Sequence, residues 1–204
     1  MTIRQHRGDL PDLSRYNVPA VAVDTEAMGL DARRDRLCVV QLSPGDGSAD
    51  VVQITVGHTA APNLKKLMTD PKVLKIFHFA RFDIGMSFNT LGVMPAPIYC
   101  TRTASRLART YTDRHGLKDL ARELLGIDMS KQQQSSDWGA AELTDEQLRY
   151  AASDVLHLHA LRAKLDVMLA REGRSALAAA CFEFLPSRAL LDLAGWPEED
   201  IFAH

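Results

Sequence analysis

The sequence predicts an α/β fold, a central mixed sheet flanked by helices, and three observations carry that prediction. Short valine-rich runs of strand character fill the first half, helical spacing dominates from Thr101 onward, and 204 residues is the length of one domain. Strands followed by helices in a chain of this size imply helices packed on a single sheet. The expected unit is one domain over residues 1–204, with C-terminal helices over about 174–204 packing on it or forming a subunit interface.

Residues 20–24 (AVAVD), 37–42 (LCVVQL) and 50–54 (DVVQI) read as strands, with PGDGSAD as the turn between the second and third. Residues 62–69 read as a short helix opened by Pro62, whose fixed φ suits a first helical turn. VLKIFHF at 73–79 is a further strand, followed by a helix that Gly92 ends. Helical spacing then covers 101–110, 117–125, 144–171 and 174–184. Thr144 with Gln147 forms a capping box that opens the longest of these. SKQQQSSDWG at 130–139 reads as an ordered surface loop.

Composition excludes several classes. A formal net charge of −2 argues against nucleic-acid binding through a basic coat, although a site that holds phosphates through metal ions needs acidic residues. Cys38, Cys100 and Cys181 form no CxxC pair, which argues against a disulfide framework and a thiolate zinc site. No apolar run approaches the ~18 residues of a membrane span, and the first residues lack a signal-peptide pattern, so the expected compartment is the cytoplasm.

Three segments carry candidate chemistry. In VAVDTEAMGL, Asp24 and Glu26 alternate onto one side of a strand, ~6.6 Å apart along its axis. Carboxylates ending an apolar strand are costly without a partner, and divalent cations are one; solvated acids at a strand end are the other reading. Asp83 falls in the first turn of a helix, where the dipole alone favours an acid. His78 beside it reads equally as a core histidine. Tyr150 and Asp154 lie at i, i+4, on one helix face. His157 and His159, at i, i+2, point apart and make no zinc pair.

DxE, then a strand-to-helix Asp, then YxxxD resembles the DEDDy family of 3′-5′ exonucleases, which includes ribonuclease D. KQQQSSDW followed by LTDEQLRYAASD is similar to the ribonuclease D stretch before its third motif, and the short nanoRNase C members resemble nearly the whole chain. The resemblance implies a ribonuclease H-like exonuclease fold with Asp24, Glu26, Asp83, Tyr150 and Asp154 as the catalytic set. The four carboxylates would hold two divalent cations, Mg or Mn, and Tyr150 would orient the attacking water. The implied products are nucleoside 5′-monophosphates from the 3′ end of very short RNA, dinucleotides above all.

Leu30 resembles the residue such enzymes press between the last two bases, and is otherwise a turn or core leucine. Further implied substrate contacts are His78, Arg81, Gln134, Ser136 and Trp138, the last equally a packing anchor. Arg102, Arg106 and Arg109 share a helix face and, with Arg114, Lys118 and Arg122, make a locally basic stretch. It reads as a solvated face or subunit contact from which one or two side chains reach phosphates. A homo-oligomer, an octamer by resemblance, would use Leu190, Leu191, Leu193, Trp196 and Phe202, residues that equally suit packing on the core. The alternatives are a general ribonuclease D-like enzyme on longer RNA, a DNA exonuclease, a phosphatase with an Asp nucleophile, and an inactive nucleic-acid-binding module.

Overall fold

The computed structural model describes residues 2–57, 60–130, 132–133 and 135–203. Its six strands are β1 (Thr2–Arg7), β2 (Ala20–Ala27), β3 (Leu37–Ser43), β4 (Ser48–Gln53), β5 (Leu74–Phe77) and β6 (Ile98–Cys100). They form one sheet in the order β1-β4-β3-β2-β5-β6. β2, β3 and β4 are an antiparallel meander, while β1, β5 and β6 join parallel to their neighbours, so the sheet is mixed as expected. The apolar run Ala20–Val23 and the whole of β3 and β4 are buried, as continuous apolar strands covered on both faces should be.

Among the described residues seven α-helices cover the sheet: α1 (Pro62–Thr69), α2 (Ala80–Leu91), α3 (Thr101–Ala108), α4 (Leu117–Leu120), α5 (Asp145–Leu156), α6 (Leu158–Arg171) and α7 (Ser175–Ala194). A π-helical turn, Ala121–Leu125, continues α4. Gly92 ends α2 with φ of 70°, the left-handed cap its position implied. α5 lies on β2, β3 and β4, whereas α7 lies on α2.

Four elements differ from the sequence expectation. β1 (TIRQHR) carries little apolar alternation, and its backbone pairing to β4 at the sheet edge makes the strand. β6 is three residues long, too short for a periodicity to register. The single helix expected over 144–171 is broken at His157, since α5 packs on the sheet while α6 turns onto α3 and β5. α7 runs through Pro186 to Ala194 instead of stopping near 184, because its packing against α2 outweighs the lost hydrogen bond.

Candidate active site

β2 occupies the middle of the sheet between β3 and β5, and its end carries Asp24 and Glu26. β5 runs directly into α2, which places Asp83 in the first turn of that helix. α5 brings Tyr150 and Asp154 over the same strand end. Its start is fixed by the capping box: Thr144 Oγ1 accepts from Gln147 N at 3.2 Å, and Gln147 Oε1 accepts from Thr144 N at 2.9 Å. Such a cap contributes ~1 kcal/mol.

Three segments far apart in sequence thus meet in one cleft of about 640 Å³, which holds Asp24, Glu26, Asp83, Tyr150 and Asp154. Carboxylate oxygens of Asp24, Glu26 and Asp154 all lie within 4.8 Å of one another. Asp83 stands behind them, buried, with Thr25 Oγ1 donating to its Oδ1 at 2.6 Å. Gln41 on β3, the cross-strand partner of Asp24, donates from Nε2 to Asp24 Oδ2 at 3.2 Å. Among the described residues none of the four carboxylates forms an ion pair.

Like charges without a counterion hold their protons. Burial pushes Asp24 up to about 7. Burial and then the charges of Asp24, Asp154 and Asp83 push Glu26 up to about 10. Asp83 and Asp154 are both raised well above the usual carboxylate range, by burial first and then by the charge of Asp24. The Tyr150 phenol is raised by burial and by Asp154, Glu26 and Asp24, so it remains a protonated hydroxyl at neutral pH. An all-oxygen set of clustered carboxylates, none of them ion-paired among the described residues, fits hard divalent ions such as Mg²⁺ or Mn²⁺.

The remaining sequence candidates divide. Leu30, His78, Ser136 and Trp138 line this cleft. Trp138 is also a packing anchor, 2% exposed, its ring centroid 6.0 Å from that of Tyr150. His78 Nδ1 is 2.9 Å from Thr101 Oγ1, its Nε2 is buried without a partner, and burial lowers its pKa to about 3, which keeps it neutral. Gln134 lies outside the described residues. Arg81 does not reach the cleft: two residues before Asp83, it leaves α2 on another face and pairs bidentately with Asp192 at 2.7 Å. Of the basic stretch, Arg102 and Lys118 line the cleft, whereas Arg109 is fully buried, its guanidinium held by Glu123, Ser105 Oγ and the Arg114 carbonyl.

A family model described as 3′-5′ exonuclease matches residues 13–170, three quarters of the chain and all the residues of the cleft. The chain belongs to the 3′-5′ exonuclease family. Its fold is that of a ribonuclease H-like exonuclease, and this membership displaces the phosphatase alternative. NrnC (nanoRNase C) of Brucella melitensis is 60% identical, with a TM-score of 0.97 over 100% of both chains. Structures of that protein with bound Mg²⁺ and with bound pGG superpose with the same TM-score. Ribonuclease D of Gluconacetobacter diazotrophicus is 36% identical over 156 residues, 76% of this chain and 39% of the relative. Escherichia coli RNase D is 26% identical, with a TM-score of 0.76 over 86% of this chain and 46% of that one. The chain spans about 40% of the length of the curated ribonuclease D relatives it matches.

Sequence reading missed Thr25, Gln41 and Phe79. Gln41 had a signal, since it is the one strongly polar residue inside the run LCVVQL. Phe79 had none, because residue type does not announce its left-handed backbone angle.

Proposed function

We propose that the chain hydrolyses phosphodiester bonds from the 3′ end of very short RNA, dinucleotides above all, and releases nucleoside 5′-monophosphates. Asp24, Glu26, Asp83 and Asp154 hold two divalent cations, Mg²⁺ or Mn²⁺, and Tyr150 is the fifth member of the catalytic set. The observation that supports this most is the meeting of Asp24, Glu26 and Asp154 within 4.8 Å, with buried Asp83 alongside and no ion pair to any of them among the described residues. Bound there, the two ions supply the positive charge that offsets the phosphate and the acidity that activates water.

The chain's own residues do the positioning. Gln41 and Thr25 fix the orientation of Asp24 and Asp83. Tyr150, protonated at neutral pH, orients the water by hydrogen bonding and is too weak an acid to serve as the base. Arg102 and Lys118, without carboxylate partners among the described residues, offer cations to phosphate, and Leu30, 92% exposed, offers an apolar edge to the bases. The preference for short RNA draws support from Brucella NrnC, solved with pGG. A second reading is general trimming of longer RNA, which draws on the 36% identity to ribonuclease D, or of DNA. End-labelled dinucleotide, pentanucleotide, 20-mer RNA and duplex DNA compared in Mg²⁺ and in Mn²⁺ decide between them. At least tenfold faster turnover of the dinucleotide is expected, and equal rates on the 20-mer would favour the second.

We further propose a cytoplasmic homo-oligomer, an octamer. No helix among the described residues is long and apolar enough to cross a membrane, and the three cysteines are free thiols. Exposed Leu190, Trp196 and Phe202 provide apolar surface for subunit contact. Light scattering at micromolar concentration is expected to give about eight times the chain mass; a monomer would remove the proposal.

A further inference from the structure

Phe79 opens α2 in a conformation that phenylalanine seldom takes. Its φ of 67° and ψ of 45° are left-handed, and among the described residues it is the one non-glycine with positive φ. This backbone costs free energy that glycine would avoid, and such strain persists where the surroundings impose it. Burial of the ring does not offset the cost, because Phe79 is 44% exposed. The surroundings do impose it. His78 is fastened through Nδ1 to Thr101, and Thr101 Oγ1 donates to the Phe77 carbonyl at 3.1 Å, so the chain entering α2 is held by β5 and α3 together.

The ring is presented to a particular place. The Arg102 guanidinium lies over it, 4.7 Å from the centroid, and among the described residues Arg102 has no carboxylate partner. Phe79, Arg102 and Leu30 all line the carboxylate cleft. Phe79, Leu30 and Phe82 also border the neighbouring groove of about 750 Å³ between α2 and α7, so these three apolar side chains form the lip between groove and cleft. A flat apolar face with an unpaired cation beside it, at the edge of a site for a phosphodiester, matches an unstacked nucleobase followed by its phosphate.

We propose that Phe79, backed by Arg102 and flanked by Leu30, is the stacking wall for one of the two nucleobases next to the scissile phosphate. The left-handed strain at residue 79 is what holds the ring there. This rests on the exonuclease function proposed above. Stacking uses the face of the base and not its hydrogen-bonding edge, so the wall accepts every base and favours purines, which overlap it more.

The test compares wild type, Phe79→Gly and Phe79→Trp on diadenylate, and on the same dinucleotide with one base removed at either position. Glycine relieves the left-handed backbone, so Phe79→Gly is expected to melt no lower than wild type. Its KM for diadenylate should nevertheless rise on the order of 10–100-fold, with a smaller change in kcat. A purely structural Phe79 predicts no such split. Phe79→Trp keeps KM within a few-fold. At one of the two abasic positions wild type and Phe79→Gly should converge. An unchanged KM in Phe79→Gly, or wild-type KM values indifferent to base removal at both positions, overturns the stacking wall. Wild type inactive on every RNA length in Mg²⁺ and Mn²⁺ would instead overturn the exonuclease proposal itself.

Discussion

Asp24→Asn and Asp154→Asn should each lose about 1000-fold or more in turnover of dinucleotide in Mg²⁺, while their metal-free forms melt at the same or a higher temperature than wild type. The two halves of this result share one cause. Asp24, Glu26 and Asp154 crowd their oxygens within 4.8 Å with no ion pair among the described residues, so each negative charge destabilises the metal-free fold. Removing a charge relieves that repulsion, and Asn keeps the shape. On the proposed mechanism the same charge binds the cations that offset the phosphate. Loss of one preorganised electrostatic group costs ~10²–10³-fold in comparable sites, and a metal ligand sits at the upper end. Gln41→Leu should be milder, on the order of 10–100-fold in Mg²⁺ requirement, because it loosens the orientation of Asp24 and leaves the charge. Steady-state rates against Mg²⁺ concentration and melting at pH 8 in chelator check both. Near-wild-type turnover in either Asn variant would remove these residues from the catalytic set.

How much of this was legible in the sequence depends on the range of the interaction. The alternation that puts Asp24 and Glu26 on one side of a strand is local, as is the capping box at Thr144, and both are present in the structure. The i, i+4 spacing of Tyr150 and Asp154 is local too, but that their face of α5 turns toward β2 depends on tertiary packing, which the spacing alone does not contain. The break at His157 was invisible because neither proline nor glycine marks it; α5 and α6 diverge to pack on different partners. Arg81 misled for the converse reason. It sits inside a motif, yet two residues along a helix turn a side chain about 200° away, and Asp192, more than a hundred residues later, receives it. Gln41 reaches Asp24 only through strand register, and Phe79 matters through an angle no residue type announces.

The metal-free protein should lose stability as pH rises, and Mg²⁺ should restore more of it at high pH than at low. A carboxyl whose pKa is raised by folding contributes stability fully below its unfolded value and loses that contribution as pH climbs through its folded value. For Asp24 the window opens at the ordinary 3.8 and closes at about 7; for Glu26 it opens at 4.5 and extends to about 10. In chelator, therefore, the melting temperature should fall between pH 5.5 and 8, the interval in which the cluster is forced to ionise. Cations bind the ionised ligands, so at pH 5.5 they must displace protons and at pH 8 fewer remain. Mg²⁺ at a hundred times its dissociation constant stabilises by about 2.7 kcal/mol. Since that constant itself tightens with pH, a fixed millimolar dose should raise the melting temperature more at pH 8 than at pH 5.5. Turnover should climb over the same interval, since on the proposed mechanism the ionised cluster that destabilises the metal-free fold is the one that would hold the ions. Differential scanning fluorimetry at constant ionic strength, with and without Mg²⁺ at the two pH values, measures each part. An equal gain at both would mean that the carboxylates do not hold their protons in competition with the metal.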